Sequence, residues 1–184
     1  MVLGEKPKLH TMDTAPIVNR VAQSTLVTFD LEEYYHPGER VLLDLADQLY
    51  QGLILREKEF RAFVKEHDWS QYHGKNVAIT CSADAIVPTW AYMLVATRLA
   101  SVANMVVFGD LGALEDALFR QALHQVNPED FRDAKVVVKG CSHRPVPISA
   151  YVEITRLLQP VAFSLMYGEP CSSVPLYKKA KAKA

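Results

Sequence analysis

All three cysteines of this chain open the same short phrase. Cys81-Ser82 leads to Val87-Pro88, Cys141-Ser142 to Val146-Pro147, and Cys171-Ser172 to Val174-Pro175. No other Val-Pro pair occurs. With serine at its own frequency, a serine after every one of three cysteines is a roughly one-in-ten-thousand coincidence. Thiols repeated in matched settings suggest a shared task, and the simplest task for three thiolates is to hold one metal centre. Three cysteines without an obvious fourth fit an iron–sulfur cluster with one open or non-cysteine iron. They also fit zinc completed by a His, Asp or Glu. Structural zinc sites favour closely spaced cysteine pairs, which are absent here, so the cluster ranks first and zinc second. Asp84, His143 and Glu169 each lie within three residues of a cysteine and are candidate fourth ligands or acid–base partners. Ser82, Ser142 and Ser172 can satisfy loop or helix-start N–H groups or hydrogen-bond a ligand sulfur.

Each of these residues also has a plainer reading. Asp84 caps a helix, His143 is an exposed loop residue, Glu169 is solvated, and the cysteines are small buried hydrophobes. Two functional alternatives therefore stand beside the metal centre. One is metal-free sulfur transfer or thiol redox chemistry. The other is a non-catalytic scaffold or subunit with structural cysteines. The sequence leaves open whether the protein is an enzyme.

The elements that must position the thiols alternate between strand and helix. Leu26 to Leu31 and Arg40 to Ala46 are β-type runs, and Val77 to Thr80, Met105 to Phe108 and Val136 to Val138 are short apolar runs of buried-strand type. Arg56 to His67 is an amphipathic helix with Phe60, Phe63 and Val64 on one face, and Glu57 four residues before Arg61. Ala85 to Ala103, Leu114 to Gln125 and Ile148 to Leu158 read as further helices, the last ended by Pro160. The expected fold is α/β, with a mainly parallel sheet and helices on both faces. Two cysteine phrases extend into a longer match. Cys81-Ser82, Val87-Pro88, Ala91-Tyr92 and Thr97-Arg98-Leu99 answer to Cys141-Ser142, Val146-Pro147, Ala150-Tyr151 and Thr155-Arg156-Leu157. One-residue length changes in two places separate them. The expectation is two similar strand–Cys-Ser loop–helix units, with Cys81 and Cys141 at the carboxyl ends of parallel strands. That is the sheet edge where ligands bind, and the following helix N-termini favour thiolate over thiol. The turn-rich stretch Tyr167-Gly168-Glu169-Pro170 is expected to return Cys171 to the same edge. Trp69, Trp90, Tyr92 and Tyr151 read as core or lid aromatics.

Size and charge bound what remains. The chain has 184 residues, with 49% hydrophobic and 22% charged. This predicts one domain over 15–177, with a flexible leader at 1–14 and a basic flexible tail at 178–184. A formal net charge of −1 and a pI near 6.6 disfavour a nucleic-acid partner. No apolar run reaches membrane-span length and the N-terminus has no signal core, so a cytoplasmic location without membrane contact is expected. Three widely spaced cysteines suit reduced thiols better than a disulfide framework. P-loop, G-x-G-x-x-G and G-x-S-x-G signatures are absent.

The stretches GLILREKEFR, HDWSQYHGKNVAITCSADAIVPTWAYML, KGCSHRPVPISAYVEITRLLQPVA and MYGEPCSSVPLYKK resemble the bacterial family catalogued as domain of unknown function 2480. The resemblance covers about Pro16 to Lys179. It implies one compact α/β protein with a natural start at Met12. The extension before Met12 and the Lys-Ala tail depart from the family pattern. The family carries no assigned activity, so no catalytic residue transfers. It implies a link to iron–sulfur assembly proteins as partners; the alternative partner is a small-molecule substrate at an iron without a cysteine ligand.

Overall fold

The computed structural model describes residues 26–140 and 143–180. The leader 1–14, Cys141 with Ser142, and 181–184 lie outside the described residues. The strands are β1 (Leu26–Asp30), β2 (Arg40–Asp44), β3 (Asn76–Thr80), β4 (Met105–Phe108), β5 (Lys135–Lys139), β6 (Ser164–Glu169) and β7 (Ser172–Lys178). The α-helices are α1 (Glu57–Glu66), α2 (Thr89–Leu99), α3 (Leu111–Leu123) and α4 (Ile148–Leu158). Among the described residues, no helix is long and apolar enough to cross a membrane.

The α/β class and mainly parallel pairing are as the sequence predicts, but the strands divide between two sheets. One has the order β2-β3-β4, all parallel, and the other β1-β5-β6-β7, with only β7 antiparallel. In the three-stranded sheet the side-chain alternation of β3 feeds two cores. Val77 and Ile79 pack with Phe60 and Val64 of α1 and Ala91, Val95 and Leu99 of α2. Ala78, on the opposite face, packs with Leu114 and Leu118 of α3. Helices therefore cover both faces of this sheet. The same α3 sends Phe119 and Leu123 into the other core, against Phe29, Val136, Val138, Leu165 and the α4 residues Ala150, Ile154 and Leu158. α3 is thus the shared layer between the sheets. A helix in that position must be apolar on two sides, which its sequence supplies.

The two halves repeat at a constant spacing of 59 residues. Phe60 answers to Phe119, Val77 to Val136, Pro88 to Pro147, Ala91 to Ala150, and Leu99 to Leu158. The backbone repeats with them. Gly74 N–H donates to Val102 O and Asp133 N–H to Val161 O, both at 2.9 Å, and Asn104 N–H to Lys75 O and Phe163 N–H to Ala134 O, both at 2.8 Å. Gly74 (φ 69°) matches Asp133 (φ 55°), and Gly109 (φ 133°) matches Gly168 (φ 113°). Tyr92 meets Phe108 edge-on at 5.1 Å, and Tyr151 meets Tyr167 edge-on at 5.8 Å.

This spacing corrects the alignment expected from the cysteines. At 59 residues Cys81 falls on Gly140, one residue before Cys141, and no length change is needed between Phe60 and Gly109. Element boundaries also differ: α3 spans Leu111–Leu123 rather than Leu114 to Gln125, and α2 ends at Leu99 rather than Ala103. The helix expected from Ala85 begins at Thr89, because Pro88 is extended (φ −60°, ψ 138°) and ends the loop. Lys178 and Lys179, expected in a flexible tail, are instead held by the fold. Lys178 closes β7, Lys179 N–H donates to Phe163 O at 2.8 Å, and its Nζ pairs with Asp133 at 3.0 Å.

Candidate functional site

Both sheets end their first strand in an Asp followed by a fully buried Leu. These are Asp30-Leu31 after β1 and Asp44-Leu45 after β2, with each Leu 0% exposed. The leucine anchors the strand end in the core and holds the carboxylate at the rim. At the three-stranded rim, Asp44 Oδ1 accepts from Ala46 N–H at 2.9 Å and from Ser82 N–H at 3.0 Å. Burial alone would raise the Asp44 pKa. Hydrogen bonds from the Ser82 side chain and from the Ala46 and Ser82 N–H groups outweigh it and hold the carboxyl below its ordinary value. Asp44 thereby fixes the residue next to Cys81. The Cys81 thiol is half-buried against the core and lies 3.9 Å from Ala83 O. Tyr92 of α2 faces this corner. Its pKa is raised, first by burial and then by the nearby Cys81 and Asp44.

The four-stranded rim uses its carboxylate differently. Asp30 pairs with Lys139 Nζ at 3.0 Å, and Glu169 lies 4.0 Å from the same ammonium. The Asp30 hydrogen bond leads the causes that raise the Lys139 pKa, with Asp30, Glu169 and Glu32 adding charge attraction. Glu32 grips the loop after β5 by accepting His143 N–H at 3.1 Å and 3.2 Å. Arg144 then lies over the Tyr35 ring, 4.6 Å from its centroid. Gly140 occupies the position matching Cys81 and has no room for a side chain. A Cβ there would sit 2.8 Å from the Tyr151 hydroxyl, 3.2 Å from Leu31 Cβ and 3.3 Å from Val146 Cγ2.

The sequence-predicted residues are distributed as follows. Cys81 follows β3 of the three-stranded sheet. Cys171 is exposed at the two-residue tip between β6 and β7, in the four-stranded sheet. Cys141 lies outside the described residues, two positions after β5 of that same sheet. His143 and Glu169 share the four-stranded rim through Glu32 and Lys139. Asp84 is on the other rim, exposed in a shallow hollow of about 480 Å³ with Leu53, Ile54, Ala85 and Ile86. It does not cap α2, whose N-cap is Pro88 with no side-chain cap bond. Ser82 bonds to Asp44 through its N–H and its side chain, Ser172 opens β7 exposed, and Ser142 lies outside the described residues. Among the described residues, no three His, Cys, Asp or Glu side chains are grouped to hold a metal ion.

The sequence reading missed Asp30, Glu32, Asp44 and Lys139. The available signal was the repeated Asp-Leu after an apolar strand.

Neither the curated proteins nor the solved structures compared with this chain gave a match. The family model described as "Protein of unknown function (DUF2480)" matches residues 15–179, and the chain belongs to that family.

Proposed function

We propose that this chain binds a metal centre, an iron–sulfur cluster first and zinc second, through Cys81, Cys141 and Cys171 at the strand ends. One observation carries the reading. Cys171 is exposed at a hairpin tip and Cys81 is only half-buried, whereas a cysteine kept for packing is normally closed off in the core. Cys141 and Cys171 follow the neighbouring strands β5 and β6 and form the leading ligand pair. His143 and Glu169 are the candidates to complete it. An iron without a cysteine ligand would offer a Lewis-acid position to a small-molecule substrate. Iron–sulfur assembly proteins are the partners and the cytoplasm the location that this reading implies.

A second reading is metal-free sulfur transfer or thiol redox work, and the division of the cysteine phrases between two sheets favours it. Cys81 would then act beside Tyr92 and Asp44. Its thiolate would attack a substrate disulfide, forming one S–S bond while the displaced sulfur leaves as thiolate.

Protein purified without oxygen separates the two. The metal reading expects iron with sulfide, or stoichiometric zinc, and loss of most of it in each of Cys81→Ser, Cys141→Ser and Cys171→Ser. Full metal content in any one variant removes that cysteine from the site. Metal-free protein whose thiols alkylate rapidly at neutral pH supports the second reading. Metal-free protein with inert thiols contradicts both.

A further inference from the structure

The duplicated halves differ at one edge, and the difference predicts a partner. In the four-stranded sheet the outer side of β6 is covered by β7, with Leu165 opposite Tyr177 and Tyr167 opposite Val174. The matching strand in the other half is β4, where Val106 and Phe108 occupy the positions of Leu165 and Tyr167. Gly109 N–H bonds inward to Ile79 O at 2.9 Å. Alternation along a parallel strand then turns the N–H and C=O groups of Val106 and Phe108 outward. Among the described residues, no strand pairs with β4 on that side.

An open strand is normally blunted by charge, proline or a bulge. β7 carries Pro175, Lys178 and an irregularity opposite Leu165/Met166 on its inner pairing, and β2 carries Arg40 and Asp44. Met105-Val106-Val107-Phe108 is short, at four residues, but has none of these. Its rim is apolar instead, with Phe108 69% and Met93 of the adjoining α2 65% exposed.

We propose that β4 pairs antiparallel with β4 of a second copy of this chain, joining two three-stranded sheets into one six-stranded sheet. The register follows from the outward groups. Val107 lies on the twofold axis opposite its own copy, so that Val106 of each chain exchanges hydrogen bonds with Phe108 of the other. That register also keeps paired side chains on one face, where Phe108 covers Val106 of the partner copy. A second copy suits the edge because the strand is uncharged and therefore self-compatible. A formal net charge of −1 adds little repulsion between copies. This inference is independent of the metal reading.

The test is sedimentation velocity on the full chain across micromolar concentrations, with reductant present because Cys171 is exposed. The wild type is expected to dimerise reversibly. Phe108→Lys should raise the dissociation constant at least tenfold while leaving the circular dichroism spectrum unchanged, since the side chain is largely in solvent. Val106→Pro, which removes an outward N–H, should act in the same direction. A wild type that stays monomeric throughout overturns the proposal. So does a dimer that persists unchanged in both variants.

Discussion

At the scale of the residue, the Asp44 carboxylate fixes the loop that presents Cys81. Its folded pKa lies below the ordinary value, so its contribution to stability is present above the unfolded carboxyl pKa of about 3.9 and is lost as pH falls through the lower, folded value. Asp44→Asn should cost about 1–2 kcal/mol at neutral pH in urea unfolding. It should flatten the acid limb of the stability profile and speed alkylation of Cys81. An unchanged alkylation rate would mean that Asp44 does not restrain the thiol. Gly140 gives a second test at this scale. Gly140→Ala drives a methyl toward Tyr151, Leu31 and Val146 and should destabilise by about 1–3 kcal/mol. Adding Tyr151→Phe should recover part of that loss, because it removes the closest atom.

At the scale of elements, legibility followed local pattern. α4 was readable end to end because Val146-Pro147 sets its start and Pro160 its stop. α1 was readable within a residue at each end because Phe60, Phe63 and Val64 fall on one face. Apolarity alone does not locate the start of α2, because the apolar run continues back through Pro88. The β6–β7 hairpin was missed as a pair of strands. Pro175 demotes a strand reading, and only the fold shows that it sits opposite Met166 beside an irregular register. Aligning the repeat on Cys81-Ser82 and Cys141-Ser142 displaces it by one residue at the cysteines, because the helix and strand positions set the spacing. That spacing makes a prediction. Phe60 and Phe119 are each 1% exposed at equivalent positions. Phe60→Ala and Phe119→Ala should therefore each cost about 3–5 kcal/mol by denaturant melts. A cost for Phe119 well below that for Phe60 would argue against equivalent packing of α1 and α3.

At the scale of the molecule, two strand-end rims are built from one repeated plan and then diverge. One keeps a thiol at the strand end and ties its loop through Asp44. The other keeps a glycine there, spends its first-strand aspartate on Lys139, and ties its loop through Glu32. Sequence could not separate the rims, because which strands share a sheet depends on the distant pairings of β1 with β5 and β2 with β3. The sequence nominates candidate ligands by type and spacing, but not their division between the sheets. The measurement that tests the central claim most directly is iron, zinc and acid-labile sulfide content of the full chain purified anaerobically. The account predicts a brown protein with near-stoichiometric iron and sulfide, or failing that near-stoichiometric zinc. Colourless, metal-free protein would contradict it.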